Sequence, residues 1–207
     1  MAKAFAKISF TPSVVNIQKQ HGSDKAYSKF LSPDVQGGDQ LTEAEVQFIT
    51  ARDSFYQASA SNDGWPYVQY RGGPTGFLKI LDAKTLAYAD FRGNRQYISV
   101  GNVSENNRVS IILVDYPNQR RLKLWARARL VSITDDPELV VSLHNESYRA
   151  RPERAVILSL EAFDWNCPQH IHPRYTPAEL EPYVSERNDQ IVALHAENLA
   201  LKTQLNK

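Results

Sequence analysis

The stretch RLKLWARARLV, residues 121–131, decides the fold class of this chain. Leucine or alanine occupies every second position as far as Leu130, and the positions between are mostly basic or aromatic. Because successive side chains of a β-strand point to opposite faces, this alternation predicts a long strand with one face in a core and one polar face. We expect this strand to cover 121–133.

Further segments with a strand-like pattern lie on both sides of the long strand, separated by turn residues such as Asn62-Asp63-Gly64 and Tyr116-Pro117-Asn118. The additional strands are expected at 54–61, 66–71, 76–82, 85–90, 108–115 and 155–163. Many antiparallel strands joined by short turns favour a barrel over a doubly wound sheet. The sequence therefore predicts a mainly β, α+β fold with flanking helices.

Helical signals flank and interrupt the strands. Thr42 and Glu45 form a capping box ahead of a helix expected over 43–52. Two shorter helices are expected, one from Asn94 to about Val103 and one after Asp136-Pro137. The chain thus divides into an N-terminal helical arm (1–40), a barrel domain (41–175) and a C-terminal helical segment (176–207).

The C-terminal segment opens with a second capping box, Thr176 to Glu179, and then carries a short heptad seam. The seam residues are Ile191, Leu194, Asn198, Leu201 and Leu205. A buried Asn is costly unless it pairs with its counterpart, so in two-stranded coils it selects the register. We expect a helix that supports a dimer formed mainly elsewhere, since such a short coil is marginal alone. The alternative is an amphipathic helix packed on its own barrel.

Composition excludes several classes of protein. The 207 residues are 42% hydrophobic and carry a net charge of +1, so neither disorder nor a nucleic-acid or membrane partner is expected. No apolar run could span a bilayer and no signal peptide opens the chain, which predicts a cytoplasmic protein. The single cysteine, Cys167, excludes an intrachain disulfide framework and a thiolate-rich zinc site.

The densest polar cluster is DFRGNRQ, residues 90–96, which leaves a strand, turns on glycine and opens a helix. Backbone N–H groups at a helix N-terminus, together with Arg95 and Gln96, would form a phosphate cradle. In the alternative interpretation Asn94 only caps the helix and the arginines are solvated. Arg71, Lys79 and the Arg120-Arg121 pair lie on predicted strands from which they could converge on the same anion.

Several segments resemble the FMN-binding core of the pyridoxamine 5′-phosphate oxidase-like family. They are residues 65–74, 76–79 and 88–102, together with DWNCPQHI at 164–171, which is typical of one bacterial branch. The resemblance covers roughly residues 40–175. It implies a split β-barrel homodimer that binds two FMN molecules at the subunit interface.

The resemblance also assigns cofactor contacts residue by residue. Lys79 matches a strand lysine, and Asn94, Arg95 and Gln96 match a Ser-Arg-Lys turn that holds the FMN phosphate. Asp90 and Arg121 are weaker correspondences, and Gln169 and His170 would lie near the isoalloxazine ring. The candidate cofactor-binding residues are therefore Arg71, Lys79, Asp90, Asn94, Arg95, Gln96, Arg121, Gln169 and His170.

Two departures from the family pattern weigh against pyridoxamine phosphate as the substrate. Pro74 stands where the oxidase has an arginine five residues before the strand lysine, so Arg71 would supply that charge from another position. The C-terminal region has Gln169-His170-Ile171-His172 in place of an Arg-x-His substrate motif.

The expected function is electron or hydride transfer through FMN, from NADH or NADPH to a small-molecule acceptor, with the protein supplying orientation and electrostatics. His170 is the candidate catalytic acid, because a histidine titrates near neutral pH. Alternatives are a flavin carrier, sensor or store without turnover, or the same fold with a deazaflavin or haem. A Cys167–His170 nucleophile pair and a metal site that adds His172 are weaker readings, and no metal is expected.

Overall fold

The computed structural model describes residues 2–146 and 148–205. The chain forms two compact units. One comprises the chain up to Asp115 together with Arg120–Gln169, and the other comprises Tyr116–Gln119 and the chain from His170 onward. In the described part of the chain, no helix combines the length and the apolar character needed to cross a bilayer.

The first unit is built on one antiparallel sheet of seven strands. The strands are β1 (Ser54–Ala60), β2 (Pro66–Gly72), β3 (Lys79–Asp82), β4 (Thr85–Phe91), β5 (Arg108–Asp115), β6 (Arg120–Ser132) and β7 (Pro152–Trp165). Their spatial order is β2-β1-β5-β6-β7-β4-β3, and the edge strands β2 and β3 do not pair within the described residues. The sheet is therefore open, as in a split barrel, which confirms the expected fold class and all of its strands.

Seven α-helices accompany the sheet in the described residues. They are α1 (Lys3–Ser9), α2 (Pro12–Gln20), α3 (Asp24–Ser28), α4 (Glu43–Thr50), α5 (Ile98–Glu105), α6 (Pro137–Ser142) and α7 (Pro177–Leu205). The prediction that a helix begins near Asn94 was wrong, because Arg95 and Tyr97 have φ values of 64° and 55°. A non-glycine residue in this left-handed region does not continue a right-handed helix.

Strand β6 has the expected alternation over most of its length. Leu122, Leu124 and Ala128 are buried, while Arg127 between them is exposed. The alternation changes at the C-terminal end, where Val131 is buried although the pattern had placed it on the polar face. Val131 and Val140 of helix α6 belong to one buried cluster, so the end of this face is covered by α6.

An aromatic cluster forms the centre of the main core. The Phe55 ring stacks on Phe77 at a centroid distance of 5.4 Å and meets Tyr88 edge-on at 5.3 Å. The Tyr88 hydroxyl donates to Gln57 Oε1 at 2.8 Å, so its buried polar group is paired. Burial raises the pKa of the Tyr88 phenol far above its ordinary value, so it remains a neutral core residue.

The N-terminal arm is attached to the sheet by its first helix. Phe5 is buried and stacks on Trp125 of β6 at 4.4 Å. The arm returns through Gly38, which has φ of 86°, and a Cβ at that position would collide with Ala2. Phe163 N–H donates to the Gly38 carbonyl at 2.7 Å, which joins the returning chain to β7. The glycine therefore allows the backbone approach that holds the arm in place.

Glu45 joins helix α4 to the end of β7. Its carboxylate accepts from Trp165 Nε1 at 2.6 Å and from Thr42 N and Oγ1 at 2.9 and 2.5 Å. The Thr42 bonds confirm the predicted capping box. Burial by itself would raise the pKa of Glu45, but the hydrogen bonds from Thr42 and Trp165 outweigh it and lower the pKa.

We expect Glu45→Gln to reduce the free energy of unfolding by about 1–3 kcal/mol near neutral pH, because the donors lose a charged acceptor. A lowered folded-state pKa stabilises the protein above the unfolded-state pKa, and this contribution is lost as pH falls through the folded-state value. The difference between wild type and variant should therefore shrink towards about pH 3.

Urea denaturation at both pH values tests this expectation, with Glu43→Gln as the matched control. Glu43 lies on the same helix but is exposed, and its one side-chain partner among the described residues is Gln47 Nε2 at 2.9 Å. Equal effects of the two substitutions at neutral pH would show that the buried network does not stabilise the fold.

Candidate functional site

A polar cavity of about 240 Å³ opens where β2, β4 and β7 meet the loop before α5. Its lining residues are Tyr67, Gln69, Arg71, Asp90, Phe91, Gly93, Asn94, Arg95, Gln96, Tyr97, Ile98, Ser99, Val100 and Arg154. The structure thus brings Arg71 together with the polar cluster at 90–96, as the sequence predicted. We call it the arginine cavity.

Other predicted site residues lie elsewhere. Lys79 begins β3 opposite Ala87, and Arg121 pairs with Val114 on the β5–β6 hairpin. Neither residue lines the arginine cavity, nor does Gln169, which is exposed.

A buried carboxylate between two guanidinium groups forms one wall of the arginine cavity. Asp90 is 4% exposed, and its Oδ1 accepts from Arg71 Nη1 at 2.5 Å while its Oδ2 accepts from Arg154 Nη1 at 2.7 Å. Both oxygens are therefore occupied by arginine, and a ligand anion would be repelled by the carboxylate. Asp90 thus holds the two arginines in place.

Glu153 also pairs with Arg154, at 3.1 Å, so the excess positive charge of the cavity comes from Arg95. Arg71 Nε is buried and has no hydrogen-bond partner among the described residues. Arg95 on the facing loop is exposed and forms no ion pair within the described chain. A buried donor without an acceptor is costly, so an anionic acceptor in the cavity would relieve it.

The loop that covers the arginine cavity has an unusual backbone. Arg95 and Tyr97 both adopt left-handed conformations, which cost roughly 1–2 kcal/mol for a residue with a Cβ. Asn94 Oδ1 accepts from Gln96 N at 3.2 Å, so Asn94 closes a local turn and does not cap a helix. Strain of this kind is concentrated at ligand sites, where it positions particular groups.

The first turn of α5 contributes the remaining wall. Ile98, Ser99 and Val100 all line the cavity, and the first N–H groups of a helix have no intrahelical acceptor. Ser99 Oγ donates to Gln69 Oε1 at 2.8 Å, which fixes the start of the helix against β2. The start of α5 and the arginines of the cavity together form the kind of site that binds a phosphate.

Sequence reasoning missed Arg154. This residue is the direct cross-strand partner of Asp90 in the β4–β7 ladder, although 64 positions separate them in the chain. No local pattern marks it, because its role depends on the register between two distant strands.

A second group of buried polar atoms lies at the start of β6. Arg121 Nε and Asn166 Oδ1 are both buried and without hydrogen-bond partners in the described residues, while Asn166 N donates to the Arg121 carbonyl at 3.1 Å. The neighbouring Trp165 meets Phe48 edge-on at 4.8 Å and lies under the Arg120 guanidinium at 4.7 Å. Trp165 is thus engaged in the core, whereas Arg121 and Asn166 have hydrogen-bonding capacity to spare.

The second unit carries His170, which is exposed and has φ of 66°. The residues that follow it are held locally: Gln119 Nε2 donates to the Ile171 carbonyl at 2.6 Å, and Arg174 lies over the Tyr116 ring at 5.0 Å. Within the described part of the chain, no three His, Cys, Asp or Glu side chains form a group that could hold a metal ion.

The open antiparallel sheet and the arginine cavity define a split-barrel protein with a candidate anion site. The sequence profile described as pyridoxamine 5′-phosphate oxidase matches residues 41–164. This match covers more than half of the chain, and the protein belongs to the pyridoxamine 5′-phosphate oxidase family, whose members bind flavins. No curated protein matches the chain significantly.

Solved structures share the fold at low sequence identity. HupZ from Group A Streptococcus aligns with a TM-score of 0.50 and 15% identity over 65% of this chain and 100% of its own. A Clostridium acetobutylicum protein related to general stress protein 26 gives 0.46 and 13% over 59% and 85%. An FMN-binding protein from Syntrophomonas wolfei gives 0.47 and 8% over 72% and 97%. At 15% identity and a TM-score of 0.50, the similarity to HupZ establishes only the fold.

The residues of the arginine cavity fit the phosphate end of a flavin nucleotide. The cavity offers Arg71, a second arginine on the loop and the start of a helix, all of which favour a dianion. When bound, the flavin would supply the redox chemistry, and the residues present would hold and orient it.

We expect Asp90→Ala to lower the free energy of unfolding by about 3–5 kcal/mol, since it leaves two partly buried arginines without their shared counter-ion. Glu161→Ala is the matched control. Its bond to Arg127 is also short, 2.6 Å, but both side chains are over 40% exposed, so its loss should cost at most about 1 kcal/mol. Urea denaturation of both variants without added ligand measures the difference. Similar losses would contradict the structural role given to Asp90.

Proposed function

We propose that this protein binds FMN noncovalently as a homodimer and transfers electrons or hydride from a reduced nicotinamide to a small acceptor. The observation that carries the proposal is the arginine cavity, in which Arg71 and Arg95 face a helix start in a member of a flavin-binding family. A cytoplasmic location fits the single cysteine of the chain.

The size of the cavity supports a shared site. Pockets that enclose a small molecule usually measure about 300–1,000 Å³, and the arginine cavity is smaller at about 240 Å³. One chain would therefore enclose the phosphate end of FMN and leave the ring to be covered from elsewhere. Members of this family are commonly dimeric, so a second subunit is the proposed source of that cover.

Each predicted contact receives a role on this proposal. Arg71, Arg95 and the loop at 94–96 bind the phosphate, and Lys79 and Arg121 contact other parts of the cofactor. Gln169 and His170 contact the ring, and His170 provides or receives a proton during turnover. Asp90 and Arg154 keep Arg71 in position.

A flavin-binding protein without turnover is the second candidate. It has the same cavity and the same arginines but no reaction with a reductant. Rapid mixing of the flavin-loaded protein with NADH and with NADPH separates the two candidates. Bleaching of the flavin by either nucleotide supports the oxidoreductase, and no bleaching by both supports a carrier, sensor or store.

We expect Arg95→Ala to raise the dissociation constant for FMN roughly 10- to 100-fold, because one charge-assisted hydrogen bond contributes about 1.5–3 kcal/mol. Binding of riboflavin, which lacks the phosphate, should stay within about twofold of wild type. Titration of flavin fluorescence measures both constants.

Arg92→Ala is the matched control for that substitution. Arg92 lies on the same loop but outside the arginine cavity, and its Nε is 3.6 Å from Glu153. The dissociation constant of the Arg92→Ala variant for FMN should remain close to that of the wild-type protein. The phosphate cradle would be contradicted if Arg95→Ala weakened the binding of FMN and of riboflavin equally. It would also be contradicted if Arg95→Ala and Arg92→Ala weakened the binding of FMN equally.

We expect His170→Ala to retain FMN and to slow flavin reduction or reoxidation by roughly 100-fold, the lower range for loss of a general acid or base. The measurement is stopped-flow absorbance of bound flavin with the nicotinamide that bleaches it. His172→Ala, a change to an exposed histidine two residues away, is the control and should react at the wild-type rate. Unchanged rates for His170→Ala would exclude it from catalysis.

A further inference from the structure

Helix α7 is long and exposed. It runs from Pro177 to Leu205, and each of its residues is exposed in the single chain. The apolar residues of the predicted seam are 49% to 85% exposed. Apolar side chains aligned at this density on one helix usually mark an interaction surface.

The seam has a defined heptad register. With Ile191 at position a, Leu194 falls at d, Asn198 at a, Leu201 at d and Leu205 at a. Both d positions thus hold leucine, and the first a position holds the β-branched Ile191, a combination that favours two parallel strands. Arg187 occupies the preceding d position, so the apolar seam starts only at Ile191.

Asn198 indicates which residue faces it across the seam. Its Nδ2 donates to the Leu194 carbonyl at 3.0 Å, which uses one of its amide hydrogens. The other amide hydrogen and Oδ1 are then available to a second amide group. An Asn at position a finds such a partner when the same Asn of a second chain lies opposite, which requires a parallel, in-register pair.

The charged residues beside the seam favour the same arrangement. Glu197 lies at position g and Lys202 at position e of the next heptad. In a parallel in-register coil the g residue of one chain neighbours the following e residue of the other, so Glu197 would meet the Lys202 of a second copy. The pair occurs twice in a homodimer and is attractive both times.

We propose that α7 forms a parallel, in-register, two-stranded coiled coil with the α7 of a second copy of this chain. The occupant of the exposed seam is thus the identical helix, selected by Asn198 and by the Glu197–Lys202 pairing. The inference rests on the helix alone and does not depend on flavin binding.

The coil is short, about two heptads over 191–205, and Pro182, earlier in the helix, lacks the N–H of a regular helix turn. Such a coil is marginal between free chains. Joining two helices through a dimer formed elsewhere raises their effective concentration to about the millimolar range, at which a weak coil closes. The coil then strengthens the dimer without having to create it.

Single-cysteine variants of the full chain test orientation and register. In a Cys167→Ser background, Leu194→Cys and Leu201→Cys each place a thiol at a d position. Identical d residues face each other in a parallel in-register coil, within the roughly 7 Å Cα separation that a disulfide tolerates. In a glutathione redox buffer, both variants should form a disulfide-linked dimer almost completely.

Leu199→Cys is the matched control, because Leu199 is a neighbouring exposed leucine at the outer b position. The fraction of Leu199→Cys in the disulfide-linked dimer should be at least about tenfold lower than that of the two d variants. An antiparallel pair can bring at most one of the two d positions opposite itself, so cross-linking at only one of them overturns the proposal. The proposal is also overturned if Leu199→Cys cross-links as readily as the two d variants, or if none of the three variants cross-links.

The dimer dissociation constant of a variant truncated after residue 185 is a second test. This constant, from sedimentation equilibrium, should be at least about tenfold higher than that of the full chain. An unchanged constant, or a full chain that sediments as a trimer, overturns the proposal. Because neither readout involves flavin, a failure here is distinguishable from a failure of FMN to bind.

Discussion

Strand β7 is the element on which the rest of the first unit depends, because it pairs with β4 over residues 152–159 on one side and with β6 over residues 154–165 on the other. Without it, the sheet would separate into two parts. Its N-terminal end carries Arg154 to Asp90, and its C-terminal end carries Trp165 to Glu45. One strand thus connects the arginine cavity to the helix that closes the opposite end of the core.

The arginine cavity combines rigidity with unsatisfied charge. Asp90 accepts from Arg71 and Arg154, and Glu153 also accepts from Arg154 at 3.1 Å, so these carboxylates hold both guanidinium groups in place. The excess positive charge of this surface is that of Arg95, which would attract an anion. The strained loop at Arg95 and Tyr97 places further groups over the same surface, and its conformational cost is one that ligand binding would offset.

Local sequence patterns predicted those features that neighbouring residues decide. Alternation located the strands, and the Thr-x-x-Glu boxes located the starts of α4 and α7, where both predicted sets of hydrogen bonds are present. The same reasoning misplaced the start of α5 by four residues. Asn94 is a residue type that often caps helices, but here its side chain closes a turn inside a loop. Helix propensities do not predict the left-handed residues of that loop.

The amino-acid sequence by itself determined the strand periods, the helix caps, the heptad seam and the resemblance of residues 90–96 to a phosphate site, because each depends on side chains within a few positions of one another. Only the tertiary structure decided that Arg154 belongs beside Asp90, that Asp90 holds arginines and that Val131 is buried under α6. These facts depend on strand register and on which elements cover each face. Both are set by the packing of the whole core and not by any local stretch of the chain.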